Sequence, residues 1–304
     1  LLKRPFKEIA EGLGTDEESV LDELSAISAS GLLRRIGAVV NYRKLGLKST
    51  LVLCCMQEGD LADAVKDINA LPVSHNYQRD HHYNLWFTLQ AGSEDQLKYL
   101  LRQLSGKYRT PFHSLPVKRC FKLRTFFNSS SVPQYPKGDA VQKKGQQIHV
   151  LSGRQKELLS SLQDGLSAVP APFAAVHPAM DAEDVLAAVK GFLGCGVIKR
   201  LSGSFDHRKL EYTANVLFAA QVSKDQIENA GRQIASSPLV SHCYERRTFN
   251  GWPYNLFAMM HARSDGQIIS ETARFSRQIP MEGSVRLPTV REFRKRPVPV
   301  RDIL

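Results

Sequence analysis

Two seven-residue stretches decide the fold of this chain. They read Val-Ser-His-Asn-Tyr-Gln-Arg at residues 73–79 and Val-Ser-His-Cys-Tyr-Glu-Arg at residues 240–246. In both, His, Tyr and Arg recur at every second position, which is typical of a β-strand that presents them on one face. Each stretch precedes a second match, Tyr-Asn-Leu-Trp at residues 83–86 and Tyr-Asn-Leu-Phe at residues 254–257. The order of these matches predicts two diverged copies of one unit.

The repeat extends upstream and predicts the order of elements in each copy. Arg-Arg-Ile and Tyr-Arg-Lys-Leu at residues 34–45 match Lys-Arg-Leu and His-Arg-Lys-Leu at residues 199–210. Each copy is predicted to begin with two helices and a short β-hairpin or wing, at residues 32–41 in copy one. A β-α-β-β-α-β run follows, whose last strand in copy one is predicted at residues 119–127.

The fold class predicted from this order is α+β, a tandem repeat of a winged helix-turn-helix and a ferredoxin-like domain. A Ser- and Pro-rich stretch between the copies predicts a linker. The predicted domains are a helix-turn-helix at 1–48, a ferredoxin-like domain at 49–128, a linker at 129–151, a second helix-turn-helix at 152–213, and a second ferredoxin-like domain with a basic tail at 214–304.

The composition limits the location and the partners. The 304 residues carry a formal net charge of +11, which predicts an anionic partner. The five cysteines form no C-x-x-C pair, and their odd number favours reduced thiols and a cytoplasmic protein without a zinc site. No apolar run is long enough to span a membrane. The first residue is Leu1 and not Met, so we expect the native N-terminus to lie elsewhere.

The repeated strands predict the candidate site. A ferredoxin-like sheet has one face covered by its helices, so the other faces of the two copies are free to enclose a cleft. Two adjacent imidazoles, His81 and His82, precede the second strand of copy one, whereas copy two has Gly-Trp-Pro at residues 251–253. This asymmetry predicts a division of labour between the copies. The candidate residues that line the cleft are His75, Tyr77, Arg79, His81, His82, Asn84, Trp86, His242, Tyr244, Arg246 and Arg247, with Arg43 and Arg208 as further cations from the wings.

A helix-turn-helix joined to a ferredoxin-like domain resembles the Lrp/AsnC transcription regulators, which makes DNA binding a second hypothesis. The local charge argues against it. The second helix of copy one carries five carboxylates between residues 16 and 23, and no Lys or Arg lies between Glu8 and Leu33. Phosphate contacts dominate the affinity of proteins for DNA, so an acidic recognition helix predicts weak binding or none.

Three signatures together resemble the siroheme decarboxylases. They are Arg-Arg-Ile-Gly-Ala-Val-Val-Asn-Tyr-Arg-Lys-Leu-Gly at residues 34–46, Val-Ser-His-Asn-Tyr-Gln-Arg-Asp at 73–80 and His-Tyr-Asn-Leu-Trp-Phe-Thr-Leu at 82–89, with Trp-Pro-Tyr-Asn-Leu-Phe at 252–257 in copy two. The resemblance implies that two related subunits are fused in one chain. It implies the loss of carbon dioxide from two acetate side chains of siroheme, giving didecarboxysiroheme for heme d1 synthesis or the alternative heme pathway.

The resemblance also suggests roles for the candidate residues. Arg79, Arg246 and Arg247 would bind carboxylates, and His81 or His82 would donate a proton or hold the siroheme iron. His75, His242, Tyr77 and Tyr244 would orient the ring or assist proton transfer. No cofactor is expected beyond the iron-tetrapyrrole of the substrate, and no metal is expected to be held by the protein alone. A tetrapyrrole-sensing regulator and an ordinary Lrp-type regulator remain as alternatives, and the sequence leaves open whether the chain forms a homodimer.

Overall fold

The computed structural model describes residues 1–123 and 147–304, which form two compact units. The first contains residues 1–48, 147–209 and 297–304, and the second contains residues 49–123 and 210–296. The predicted helix-turn-helix modules of both copies thus share the first unit, and both ferredoxin-like domains share the second. In chain order the elements are α1 (Pro5–Leu13), α2 (Glu17–Ala29), β1 (Leu33–Val40), β2 (Lys48–Cys54), α3 (Glu58–Ala70), β3 (Val73–Arg79), β4 (Leu85–Ala91), α4 (Glu94–Tyr108), β5 (His113–Leu123), α5 (Gly153–Asp164), α6 (Ala182–Gly194), β6 (Ile198–Phe205), β7 (Ala214–Gln221), α7 (Ile227–Ser236), β8 (Val240–Arg246), β9 (Leu256–Ala262), α8 (Asp265–Gln278) and β10 (Gly283–Lys295).

The helices of the second unit form where the sequence supplies an apolar stripe, and α4 has a side-chain cap as well. Helix α4 is capped by the preceding Ser93, whose hydroxyl accepts a hydrogen bond from the backbone N–H of Gln96 at 3.1 Å. Its Leu97, Leu101 and Leu104 recur at helical spacing and are buried against the sheet. None of the helices in the described part of the chain is long and apolar enough to cross a bilayer.

Eight strands of the second unit close into one barrel, in the order β10-β3-β4-β2-β5-β8-β9-β7. Each ferredoxin-like half buries one sheet face under its own two helices, in two separate apolar cores. A third core lies between the two sheets and contains side chains from both halves, among them Trp86, Trp252 and Phe257. The uncovered faces of the two halves thus face each other across this core, as expected, and a cleft between them that binds substrate stays a prediction.

The barrel closes because the last strand of each half is shared. Strand β5 pairs with β2 of its own half through residues 113–116 and then with β8 of the other half through residues 117–123. Strand β10 repeats this arrangement, pairing first with β7 and then with β3. We call β5 and β10 the crossing strands. They hydrogen-bond to both sheets, so neither half has its full set of strand partners without the other.

The basic stretches of the crossing strands make intramolecular contacts. Lys118 and Arg119 form ion pairs with the buried carboxylate of Glu245. The ammonium of Lys122 donates to the backbone oxygen of Ser237 at 2.8 Å, at the C-terminal end of α7. Arg294 likewise donates to the oxygen of Asn69, in the last turn of α3. Cations are favourable at helix C-termini, so part of the positive charge stabilises the contact between the halves.

Two predictions about strands were wrong. The wing of copy one is not a hairpin but the single strand β1, which pairs antiparallel with β6, its counterpart in copy two. Gly37 makes no turn there; a Cβ at this position would lie 2.7 Å from the backbone oxygen of Leu162, so the glycine permits close packing of α5. The last strand of copy one begins at His113 and not at residue 119, because its first residues pair with β2. The predicted residues 124–127 and most of the predicted linker lie outside the described residues.

The predicted basic tail is ordered, and its last residues lie outside the second ferredoxin-like domain to which they were assigned. Residues 283–295 form β10, and the last residues return to the first unit. Val300 is fully buried there, and its N–H donates to the Oε1 atom of Gln163 at 3.0 Å. An apolar side chain among the cations, together with backbone pairing, therefore orders this segment.

The contact between Phe121 and Gly231 gives a test of the shared strands. A Cβ at Gly231, on α7, would lie 2.4 Å from the ring of Phe121, which comes from crossing strand β5. We expect Gly231→Ala to destabilise the protein by roughly 1–3 kcal/mol, the usual effect of overpacking. Chemical denaturation measures the change. Gly106→Ala on α4 is the control, because its Cβ meets no atom within 4 Å and alanine favours a helix. Equal stability of the two variants would contradict the proposed packing.

Candidate active site

Strands β3 and β8 place the repeated His-Tyr-Arg rows in the barrel interior. Tyr77 lies opposite Trp86 in the register of β3 and β4, and Tyr244 lies opposite Phe257 in β8 and β9. Opposite residues share a sheet face, and Trp86 and Phe257 belong to the core between the sheets. The rows therefore lie on the predicted face.

Arg79 and Arg246 hold the crossing strands. The guanidinium of Arg79 donates to the backbone oxygen of Leu287 at 2.8 Å and to the hydroxyl of Thr289 at 3.2 Å. Arg246 donates to the backbone oxygen of Leu115 at 2.8 Å. Each cation also lies over the tyrosine of its own row, at 5.3 Å and 5.1 Å from the ring centroids. Burial lowers the pKa of Arg79 to about 10. Both arginines thus have a structural task, and their role in binding carboxylates stays a prediction.

The interior histidines of the two rows influence each other. His75 is half-buried, and its Nδ1 lies 3.0 Å from the hydroxyl of Ser74; the Nδ1 of His242 lies 2.8 Å from the hydroxyl of Ser241. Loss of hydration lowers the pKa of His75 to about 4, with further lowering by the charges of Lys295 and His242. His75 is therefore neutral at pH 7 and is poorly suited to donate a proton there.

A second group of aromatic and imidazole rings surrounds Tyr83, in the loop between β3 and β4. Tyr83 has ring contacts with His81, His82 and His113 from its own half and with Phe249 and Trp252 from the other. The centroids of these pairs lie between 5.1 and 6.0 Å apart. We call these six residues the histidine–aromatic cluster. It brings three imidazoles together at one place in the barrel.

The two adjacent imidazoles of the cluster differ in environment. The Nδ1 atom of His81 accepts a hydrogen bond from the backbone N–H of Tyr83 at 3.0 Å, so a neutral His81 carries its proton on Nε2. Burial lowers the pKa of His81, and the charge of His82 lowers it further. His82 is exposed, and its Nδ1 lies 3.8 Å from the thiol sulfur of Cys55.

Four members of the cluster, Tyr83, His113, Phe249 and Trp252, are not among the candidates predicted from the sequence. The ring of His113 stacks on that of Phe249, with 3.8 Å between the centroids and 4° between the planes. These residues come from β5 and from the β8–β9 loop, so only the shared strand brings them together. Trp252 takes the place in copy two that His81 takes in copy one, and the two rings meet edge to face at 5.5 Å.

The remaining candidates occupy different settings. Asn84 holds the end of β2, because its amide accepts from the N–H of Met56 and donates to its oxygen, both at 2.8 Å. The indole of Trp86 is buried and donates to the oxygen of Tyr83 at 2.6 Å. Arg247 is exposed beside the cluster segment that contains Phe249. Arg43 and Arg208 are exposed in the first unit, in short 3-10 turns after β1 and β6. Contact of these residues with a substrate stays a prediction.

The fold and the paired domains define the class of protein. Residues 44–122 and 209–294 match the AsnC-like ligand binding domain, and residues 1–34 match the siroheme decarboxylase NirDL-like helix-turn-helix domain. The chain is therefore a fused pair of Lrp/AsnC-like units, as predicted.

Comparison with individual proteins defines the family. A siroheme decarboxylase from Hydrogenobacter thermophilus is 32% identical over 300 residues, which cover 97% of this chain and 89% of that protein. The crystal structure of the siroheme decarboxylase NirDL has a TM-score of 0.75 and 30% identity, covering 98% of this chain and 89% of that one. A second NirDL structure, in co-complex with an iron-uroporphyrin III analogue, has a TM-score of 0.74 and 28% identity, with the same coverage. This chain belongs to the siroheme decarboxylase family.

The depressed pKa of His75 predicts a dependence of stability on pH. The folded pKa of about 4 lies below the ordinary value of 6.5, so the unfolded chain binds more protons between these values and stability falls as the pH falls through this window. His75→Gln should remove this contribution, making the loss of unfolding free energy from pH 7 to pH 4.5 smaller by about 1–3 kcal/mol. Denaturant titrations at both pH values measure it, with His149→Gln as the control. Equal losses in the wild type and in His75→Gln would refute the assignment.

Proposed function

We propose that this chain is a siroheme decarboxylase, a carbon–carbon lyase that removes carbon dioxide from two acetate side chains of siroheme to give didecarboxysiroheme. The observation that carries the proposal is its 32% identity to a siroheme decarboxylase across 97% of the chain. The structural neighbour bound to an iron-uroporphyrin III analogue supports a tetrapyrrole as the ligand class. The proposed product would enter heme d1 synthesis or the alternative heme pathway.

The proposed reaction needs no cofactor in addition to the tetrapyrrole substrate. The bond between the methylene carbon and the carboxylate breaks, carbon dioxide leaves, and the electron pair passes into the protonated macrocycle. A proton then adds to the methylene carbon, which becomes a methyl group, and the macrocycle releases the proton that it carried. The protein must hold the spectator carboxylates, remove water from the departing one and supply that proton.

The geometry favours His82 as the proton donor. It is exposed and it lies in the loop where the two copies differ, whereas the interior His75 is held neutral by its low pKa. His81 has its Nδ1 occupied by Tyr83, so its Nε2–H is available to donate to a substrate carboxylate. The flat ring of Tyr83, which is half-buried in the same cluster, suits contact with a macrocycle.

An Lrp-type DNA-binding regulator is not favoured as the function. Glu17, at the start of α2, pairs with Arg4, and the acidic first turn also contains Glu18. The basic stretches of β5 that raise the net charge are paired within the protein instead. A phosphate backbone would therefore meet little free positive charge on this helix.

The activity is tested by anaerobic incubation of the purified protein with siroheme, followed by mass spectrometry of the tetrapyrrole. We expect a product lighter by two molecules of carbon dioxide. Unaltered siroheme with a shifted absorption spectrum would show a binding protein instead and overturn the enzymatic proposal. Unaltered siroheme without a spectral change would overturn the ligand assignment as well.

The role of His82 is tested by His82→Ala. General acid catalysis contributes about 100-fold or more to a rate, so kcat should fall by about that factor. The unfolding midpoint and the affinity for siroheme should change little, because the side chain is exposed. His149→Ala, in the first unit, is the matched control and should retain the wild-type kcat. Wild-type turnover in His82→Ala would assign the proton donor elsewhere in the cluster.

A further inference from the structure

The thiol of Cys55 lies next to His82 but has no part in the reaction as proposed above. Its sulfur is 3.8 Å from the Nδ1 atom of His82. Cys55 is half-buried just after β2, whereas His82 is exposed in the β3–β4 loop. A thiol is a weak hydrogen-bonding group, so the contact adds little stability. The contact does, however, involve one particular nitrogen of the ring, Nδ1.

The backbone around Cys55 is held in place from two sides. The hydroxyl of Thr110 donates to the backbone oxygen of Cys55 at 2.9 Å. The amide of Asn84 makes two hydrogen bonds of 2.8 Å to the backbone of Met56, the next residue. We call these two hydrogen bonds the asparagine clamp. Because Asn84 follows His82 by two residues, the clamp connects the loop that carries the imidazole to the strand end that carries the thiol.

The second copy has the asparagine clamp but lacks the pair of a thiol and an imidazole. Asn255 accepts from the N–H of Val222 at 3.0 Å and donates to its oxygen at 2.7 Å, as Asn84 does with Met56. By the same alignment, Gln221 stands in the place of Cys55 and Pro253 in the place of His82. The hydrogen bonds of the asparagine are therefore common to both copies, whereas the contact between thiol and imidazole is not. That contact occurs in the copy that has the adjacent imidazoles.

We propose that Cys55 is a positioning residue for His82. In this arrangement Nδ1–H of His82 donates to the sulfur of Cys55, and the ring presents Nε2 to the substrate. The Nε2 proton moves to the methylene carbon, while Nδ1 keeps its proton and its contact with the sulfur. Solvent then returns a proton to Nε2, which the exposure of the side chain allows. The inference rests on the proposed function, which assigns proton delivery to His82.

A double-mutant cycle tests the coupling between the two side chains. Cys55→Ala should lower kcat by about 3- to 10-fold and leave KM for siroheme unchanged, whereas Cys55→Ser should restore most of the rate because a hydroxyl also accepts from Nδ1–H. In the His82→Ala background, Cys55→Ala should cause no further loss. Cys195→Ala, in the first unit, is the matched control and should keep wild-type kinetics. A full additional loss in the double variant would overturn the proposal.

The tautomer of His82 gives a second readout that needs no turnover. Nitrogen–proton NMR of histidine-labelled protein at about pH 8.5 distinguishes the Nδ1–H form of a neutral imidazole from the Nε2–H form. The signal is assigned by its loss in His82→Gln. We expect Nδ1–H in the wild type and a shift towards Nε2–H, the form that free histidine favours in water, in Cys55→Ala. The same tautomer in both proteins would overturn the inference. Absence of siroheme turnover with the expected tautomer shift would overturn the proposed function alone.

Discussion

The second unit depends on the hydrogen bonds that β5 and β10 make to both sheets. Each crossing strand pairs first with its own half and then with the other, and an arginine from the other half binds the backbone where the change occurs. Hydrogen bonds between strand backbones do not depend on which side chains the strands carry. The side chains of Arg79 and Arg246 therefore help to determine which strands pair. Each arginine also lies over a tyrosine of the barrel interior, which links the closure of the barrel to the shape of its inner face.

The two halves share this framework but differ where their loops meet. Both keep the His-Tyr-Arg row, the arginine contact and the asparagine clamp, because these features hold the barrel together. The β3–β4 loop carries imidazoles, and the β8–β9 loop carries Phe249 and Trp252. The candidate site is therefore a composite of both copies, in which one supplies titratable groups and the other supplies ring surfaces. Such a site needs two different loops on one symmetric scaffold.

Much of this architecture could be predicted from the sequence, because it is encoded locally. Alternation placed His75, Tyr77 and Arg79 on one face, and the repeat of these residues indicated two facing sheets. The exchange of strands could not be predicted, because the sequence does not show which strand will accept the hydrogen bond of a given backbone N–H. The start of β5 was therefore placed too late, and the contact of His113 with Phe249 was missed. The intramolecular partners of the β5 cations could not be predicted either, since Glu245 and the end of α7 are distant from them in sequence.

The shared strands also constrain how such a protein can change over evolutionary time. Phe121 belongs to copy one by sequence but occupies the space left by Gly231 of copy two. A substitution at either position therefore changes the packing between the two copies. Neither copy can be replaced by a distant homologue without losing the side chains that pack against the other copy. Joining the two in one chain keeps them in equal number and at a high effective concentration. The β3–β4 and β8–β9 loops meet through side chains and differ in sequence, so they are where the copies can specialise.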